Sequence, residues 1–288
     1  MRPEVVADGI AFGEGPVWCG DDTLAVASVA AGALYRVDVR AGRAAPWADT
    51  GGGANGAALT ADGSVLVTQN GGIDFAALGL FEDPPTLRPV TPGLQHVHPD
   101  GSVRHLVDEG CNAPNDLVVL PDGDVLFTDP GHFPPTGDGI GRILRYARDG
   151  TVSVWADGFW FCNGIALDHD GHVVVVEREG LLRVFPDGTR EWVVEHLGRG
   201  AGDGFCVDVD GRFYVASTVE HGVRVVDRDG HVVDFLTIDG RGLTTNCCFG
   251  GDDLRTLFAT DALPGCVVAW EGLPTAGRPL TPWPTAPS

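Results

Sequence analysis

An all-β, six-bladed propeller is the fold this sequence predicts, and three observations predict it. A pattern of polar residue, apolar run, acidic turn and second apolar run recurs six times along the 288 residues. Its period of roughly 40–60 residues is that of a four-stranded propeller blade. Stretches with helical apolar spacing are few.

The repeats justify the blades in order. The first copy is FGEGPVWCGDDTLAVAS from residue 12, followed by GANGAALTADGSVLVTQ from 53 and APNDLVVLPDGDVLFTD from 113. FCNGIALDHDGHVVVVE from 161 and AGDGFCVDVDGRFYVAS from 201 continue the series, and LTTNCCFGGDDLRTLFATD from 243 is the most diverged copy. Each reads as two strands joined by a D-G or D-D hairpin. A second hairpin follows, as in GRILRYARDGTVSVWADG after the third copy and HGVRVVDRDGHVVDFLT after the fifth. The N-terminal VVADGIAFGEGPVW resembles SVWADGFWFCNGIAL, so Val5 and Val6 fall in an outer strand with no blade of its own. That strand is expected to complete the last blade, beside GCVVAWEG at 265–272, and so to close the ring. The second unit carries an insertion with proline and aromatics, expected as a loop on one face of a single domain over 1–288.

Antiparallel alternation sets which ends meet. With strands a to d numbered outward from the channel, every strand a begins on the face opposite the hairpin turns. Those starts are Glu14, Asn55, Asn115, Asn163, Asp203 and Asn246. Asn and Asp at strand starts also make turns. Six oxygen-bearing side chains at one equivalent position facing a channel suit a hard divalent cation. Repulsion between Glu14 and Asp203 gives such an ion a reason to bind.

At these residues the sequence resembles the SMP-30/gluconolactonase/luciferin-regenerating family of six-bladed propellers. The resemblance rests on GEGPVW (13–18), NAPNDLVVLPDGDVLFTDP (112–130), CNGIALDHDG (162–171) and GDGFCVDVDGRFYVAS (202–217), in that order. It implies one divalent metal at the top of the channel, with Glu14, Asn163 and Asp203 as direct ligands. Asn115 is implied as a fourth ligand or a substrate contact, and Asp203 as the group that activates water. Ca²⁺ is the expected ion, with Mg²⁺, Mn²⁺ or Zn²⁺ as alternatives. The implied activity is hydrolysis of a small-molecule lactone or ester. The animal gluconolactonases carry an Arg where this chain has Ala113, so a polyhydroxylated sugar lactone is the less expected substrate. Hydrolysis of a phosphoester or organophosphate, or a role in specialised metabolism on the same scaffold, is the alternative enzymatic reading. A non-catalytic propeller that binds a partner protein is the alternative outside catalysis.

Further candidates surround that set. Asn55 and Asn246 are expected around the metal. Asp129 and His132 fall where the second strand of the third blade runs into a Pro/Gly-rich loop on the same face, where an imidazole could shuttle a proton. Glu220 and His221 stand at the equivalent loop of the fifth blade, whereas His96 and His98 lie beside a turn on the far face. No G-x-S-x-G elbow and no G-x-G-x-x-G turn is present.

Composition narrows the partners. A net charge of −21 argues against nucleic acid and anionic membrane surfaces. The seven cysteines match no zinc spacing and sit mostly in apolar runs, as reduced core residues. MRPEVVADGIAFGEG lacks an apolar signal core, and no run is long enough to span a bilayer, so a cytoplasmic protein is expected, as a monomer or weak homo-oligomer.

Overall fold

Six twisted sheets of four antiparallel strands stand around a central channel in the computed structural model, which describes residues 2–131 and 140–284. In each sheet the strand nearest the channel is the first apolar run of a repeat. These innermost strands are Gly13–Gly20, Ala54–Leu59, Leu117–Val119, Cys162–Leu167, Gly202–Val207 and Thr244–Gly250. The last blade takes its outermost strand, Glu4–Asp8, from the N-terminus, which pairs antiparallel with Cys266–Trp270. The ring is therefore closed by backbone hydrogen bonds between the two ends of the chain, as the repeat predicts.

Apolar residues alternate along the strands and pack between neighbouring blades. Val65 and Val67 of the second blade meet Leu34 and Ala27 of the first, and Val175 of the fourth meets Leu126 and Ile143 of the third; all are fully buried. Burial of each such valine or leucine is worth about 1.5–3 kcal/mol against leaving it in water. Buried threonines join the innermost strands across blades. Thr68 Oγ1 donates to the Asn115 carbonyl, Thr128 Oγ1 to the Asn163 carbonyl (2.8 Å) and Thr245 Oγ1 to the Gly13 carbonyl (2.7 Å). The start of one blade is thus tied to its neighbour at the level of the polar residues.

The insertion of the second blade lies on the face of those polar residues. It contains one helical turn, Phe75–Leu78, capped by Asp74, whose carboxylate accepts the Ala77 N–H (3.2 Å), and ended by Gly79 in the left-handed conformation. Phe75 packs on Phe12 with ring centroids 4.9 Å apart, which docks the insertion against the first blade.

The C-terminal segment has a structure that no periodicity announced. It crosses the opposite face of the ring. Gly277 bridges Asp208, the Arg278 N–H donates to the Val207 carbonyl (2.9 Å), and Trp283 bridges Thr60 of the second blade. Trp283 is buried against Tyr146 and His96, so the His96/His98 pair contributes packing on the far face.

Candidate metal centre

Five of the six innermost strands carry a register shift at or beside the polar residue. The shifts fall between Glu14 and Val17, Ala54 and Ala57, Cys162 and Ile165, Gly202 and Phe205, and Thr244 and Asn246. A β-bulge kinks a strand and re-aims a side chain. Here the kink falls where the chain enters the channel, and it converts a strand-start residue into a channel-facing one.

The residue after the polar one is glycine in four blades, and the packing requires it. A Cβ on Gly56 would lie 2.7 Å from the Asn115 carbonyl oxygen, one on Gly164 2.4 Å from that of Asp203, and one on Gly204 2.0 Å from Asn246 Cγ. The innermost strands approach so closely that each blade presses its polar residue onto its neighbour's glycine.

In the third blade that glycine is replaced by Asp116. Its carboxylate enters the centre of the ring and is buried. Asn246 Nδ2 donates to Asp116 Oδ1 (3.0 Å) and Oδ2 (3.1 Å), and reaches Glu14 Oε2 at 3.4 Å. Asn246 Oδ1 accepts the N–H of Cys247 (2.8 Å), which fixes the orientation of the amide. The diverged sixth repeat is therefore a full member of the ring.

Three carboxyl groups converge: Glu14, Asp116 and Asp203. No Lys or Arg is paired with any of them among the described residues. Burial raises the Glu14 pKa well above the usual carboxylate range, and the charges of Asp203 and Asp116 add to the rise, opposed by the Asn246 hydrogen bond. Burial likewise raises Asp203 well above its ordinary value, with the Asp116 charge adding and a hydrogen bond from the Asn163 amide opposing. Burial pushes Asp116 up to about 7 against the same Asn246 bond. Uncompensated negative charge in a low-dielectric site is costly, and a bound cation reverses that cost.

Two amide oxygens of the ring positions bear on whether the site fits a cation. Asn163 Oδ1 is buried and has no hydrogen-bond partner among the described residues, although the Asn163 amide donates to Asp203. Asn55 Oδ1 is buried and unpartnered as well. A buried amide oxygen without a donor is rare in a folded chain, and it leaves acceptor capacity that a cation could take. Carboxylate and amide oxygens together form the hard donor set that Ca²⁺ and Mg²⁺ take.

The remaining candidates separate from this cluster. Asn115 is half-buried, and its carbonyl accepts the Gly56 N–H at 2.9 Å. Asp129 lies at the end of strand b, fully buried, and accepts the N–H groups of Asn112 (3.0 Å) and Ala113 (2.7 Å) and the Arg142 guanidinium (2.7 Å). It holds the segment that leads to Asn115 rather than facing the ring. Glu177 does the same for the N–H groups of Trp160 (2.8 Å) and Phe161 (3.2 Å). His221 is buried on Asp261 (2.8 Å), which also accepts the Leu243 N–H (2.8 Å), and Glu220 pairs with Arg224. His132 lies outside the described residues. Two other acidic groups, Asp168/Asp170/His172 and Asp227/Asp229/His231, sit at hairpin turns on the far face. There the Asp168 and Asp227 carboxylates accept turn N–H groups at 2.8–3.0 Å.

Asp116 is the residue that reading the sequence missed. NDLVVL reads as the start of an apolar strand, and Asp116 as its edge. The available signal was the glycine at that position in four other copies, since a side chain there has no room except in the channel.

The profile of the SMP-30/Gluconolactonase/LRE-like region matches residues 12–262. The chain belongs to that family. A 6-deoxy-6-sulfogluconolactonase of Pseudomonas putida is 26% identical over 96% of this chain and 97% of its own length. Among solved structures, the calcium-binding protein regucalcin from Agrobacterium tumefaciens superposes with a TM-score of 0.77 at 21% identity, covering 98% of this chain and 97% of that one. A gluconolactonase from Xanthomonas campestris superposes with a TM-score of 0.73 at 22% identity, covering 95% and 89%. These two establish the shared fold.

Proposed function

We propose that the protein is a divalent-metal-dependent lactonase, with Ca²⁺ as its ion. The observation that carries the reading is the meeting of Glu14, Asp116 and Asp203 with an unpartnered Asn163 oxygen, all without a cationic side chain. Glu14, Asn163 and Asp203 would hold the ion, with Asn115 completing the set or contacting substrate. The bound ion would supply Lewis-acid polarisation of the lactone carbonyl.

The protein's own groups do the rest. Asp203 is half-buried at the ring, where its carboxylate can serve as the proton acceptor for a water beside it. It takes the proton of the attacking water and returns it to the ring oxygen as the ester bond breaks. Glu14 and Asp116 hold negative charge that keeps the ion in place, while Asn246 fixes both carboxylates in one geometry. Asp129, by holding Asn112 and Ala113, sets the path of the chain into Asn115.

Family membership and the sulfogluconolactonase relative support lactone hydrolysis. The substrate ring is expected to carry fewer hydroxyls than a gluconolactone, because Ala113 and the half-buried Trp160 and Phe161 offer few hydrogen bonds. The test is a pH-stat assay on a panel of γ- and δ-lactones, aryl esters and an organophosphate, before and after chelation. Lactone turnover that is lost with chelator and restored by Ca²⁺ supports the proposal. Turnover of the organophosphate alone transfers it to phosphoester hydrolysis, and metal-independent turnover overturns it.

A further inference from the structure

A cavity of about 360 Å³ lies beneath the polar ring, between the innermost strands and the C-terminal strap. That is within the range of small-molecule sites. Its walls are apolar: Trp18, Leu59, Val118, Leu167, Phe205 and Phe249 line it. Trp18, Leu59, Val118 and Leu167 are only half-buried although they lie inside the ring, so their exposed surface faces the cavity. Apolar surface held against water in an enclosed space favours an apolar occupant.

One end of the cavity is polar, and its hydrogen-bonding capacity is one-sided. Asp116 and Asn246 form that end. Asn246 spends its Nδ2 on the carboxylates and its Oδ1 on the Cys247 N–H. Asp116 accepts only from Asn246 among the described residues, and a carboxylate has about four acceptor sites. That end of the cavity therefore presents an acceptor without a donor, and the head of an occupant placed there must bring the donor.

The floor is a strap anchored at two points. Arg278 is held by the Val207 carbonyl and Trp283 by the Leu59 carbonyl, both at 2.9 Å. Between those anchors Pro279, Leu280, Thr281 and Pro282 make no backbone hydrogen bond among the described residues, and the prolines have no N–H to give. Leu280 is 66% exposed.

We propose that this cavity binds a small apolar molecule with one hydrogen-bond-donating head, an alcohol or a primary amine, its head on Asp116 and its body against Trp18, Val118 and Phe249. The site meets the proposed metal ring at Asp116, but its apolar body lies on the other side of the ring, and its binding is read without turnover.

The test uses the full chain with n-hexylamine or n-hexanol at millimolar concentration. Two readouts are taken: the melting temperature, and the rate at which iodoacetamide alkylates Cys206, followed by peptide mass. Cys206 lines the cavity, and Cys111, which does not, is the internal reference. Binding raises the melting temperature and slows Cys206 alkylation at least about threefold relative to Cys111. Where Cys206 proves unreactive in the free protein, the melting shift decides. Both effects disappear in Ala57→Phe, which fills the cavity, and in Ala166→Leu, a milder filling that serves if the first does not fold. Response to the amine alone identifies an ammonium head, and response to the alcohol as well identifies a neutral donor; each supports the site. No shift and no protection with either probe overturns it, and so does an effect of full size in the filled variants.

Discussion

Replacing Asp116 with Asn removes one buried charge from the ring and keeps the shape. Asp116 is held at about 7 by burial, whereas an aspartate in an unfolded chain titrates near 3.9. The folded state therefore binds its proton more tightly. The associated stability is complete below about pH 4 and is lost as pH rises through about 7. In the metal-free protein at pH 8 the ionised carboxylate costs about 4 kcal/mol. The substitution relieves that cost but sets an amide NH2 against the Asn246 Nδ2, which in the wild type donates to both carboxylate oxygens at 3.0 and 3.1 Å, and a buried donor left unpaired costs about 1–3 kcal/mol. The net expectation is that chelated D116N is more stable than chelated wild type by about 1–3 kcal/mol at pH 8, several degrees in melting temperature for a chain of this length. At pH 4.5 the advantage vanishes or reverses, because the wild-type group is then protonated in the fold. Urea unfolding of both chelated proteins at the two pH values measures it. An advantage that does not depend on pH, or wild type more stable at pH 8, would refute the picture of a charged and uncompensated ring.

Other substitutions probe separate parts of the account. Gly204→Ala places a methyl 2.0 Å from Asn246 Cγ, so it should cost about 1–3 kcal/mol in urea unfolding; a neutral result would mean that the innermost strands have slack. Asp129→Ala leaves Arg142 without its buried partner and should destabilise by about 3–5 kcal/mol, while calcium affinity falls far less than in ring variants. A folded D129A that cannot bind calcium would place Asp129 at the metal instead.

The blades were legible because their signals are local. Apolar alternation and D-G turns specify a hairpin wherever they occur, and Val5 and Val6 betrayed their outer-strand role by matching the run ahead of Asn163. The convergence of Glu14, Asn163 and Asp203 also followed from topology, since strand alternation fixes which ends face the channel. What was hidden depends on contacts between blades. Asp116 reads as an ordinary strand residue until Gly56 and Gly204 show how little room the neighbouring strands leave. Asp129 shares a face with the ring, but its carboxylate is consumed by backbone N–H groups that no sequence spacing announces. The strap, GRPLTPWP, has no period at all, and its course is set by Trp283 finding a buried place beside Tyr146.

The central claim is that carboxylates brought together by ring closure hold one divalent cation. Calorimetric titration of the chelated protein with Ca²⁺, alongside Glu14→Gln and Asp203→Asn, tests it most directly. The account predicts one ion per chain, with affinity at least about 100-fold weaker in each variant, since each removes a charged ligand from a buried site. Absence of calcium binding by folded wild type, or binding that both variants retain, would contradict it.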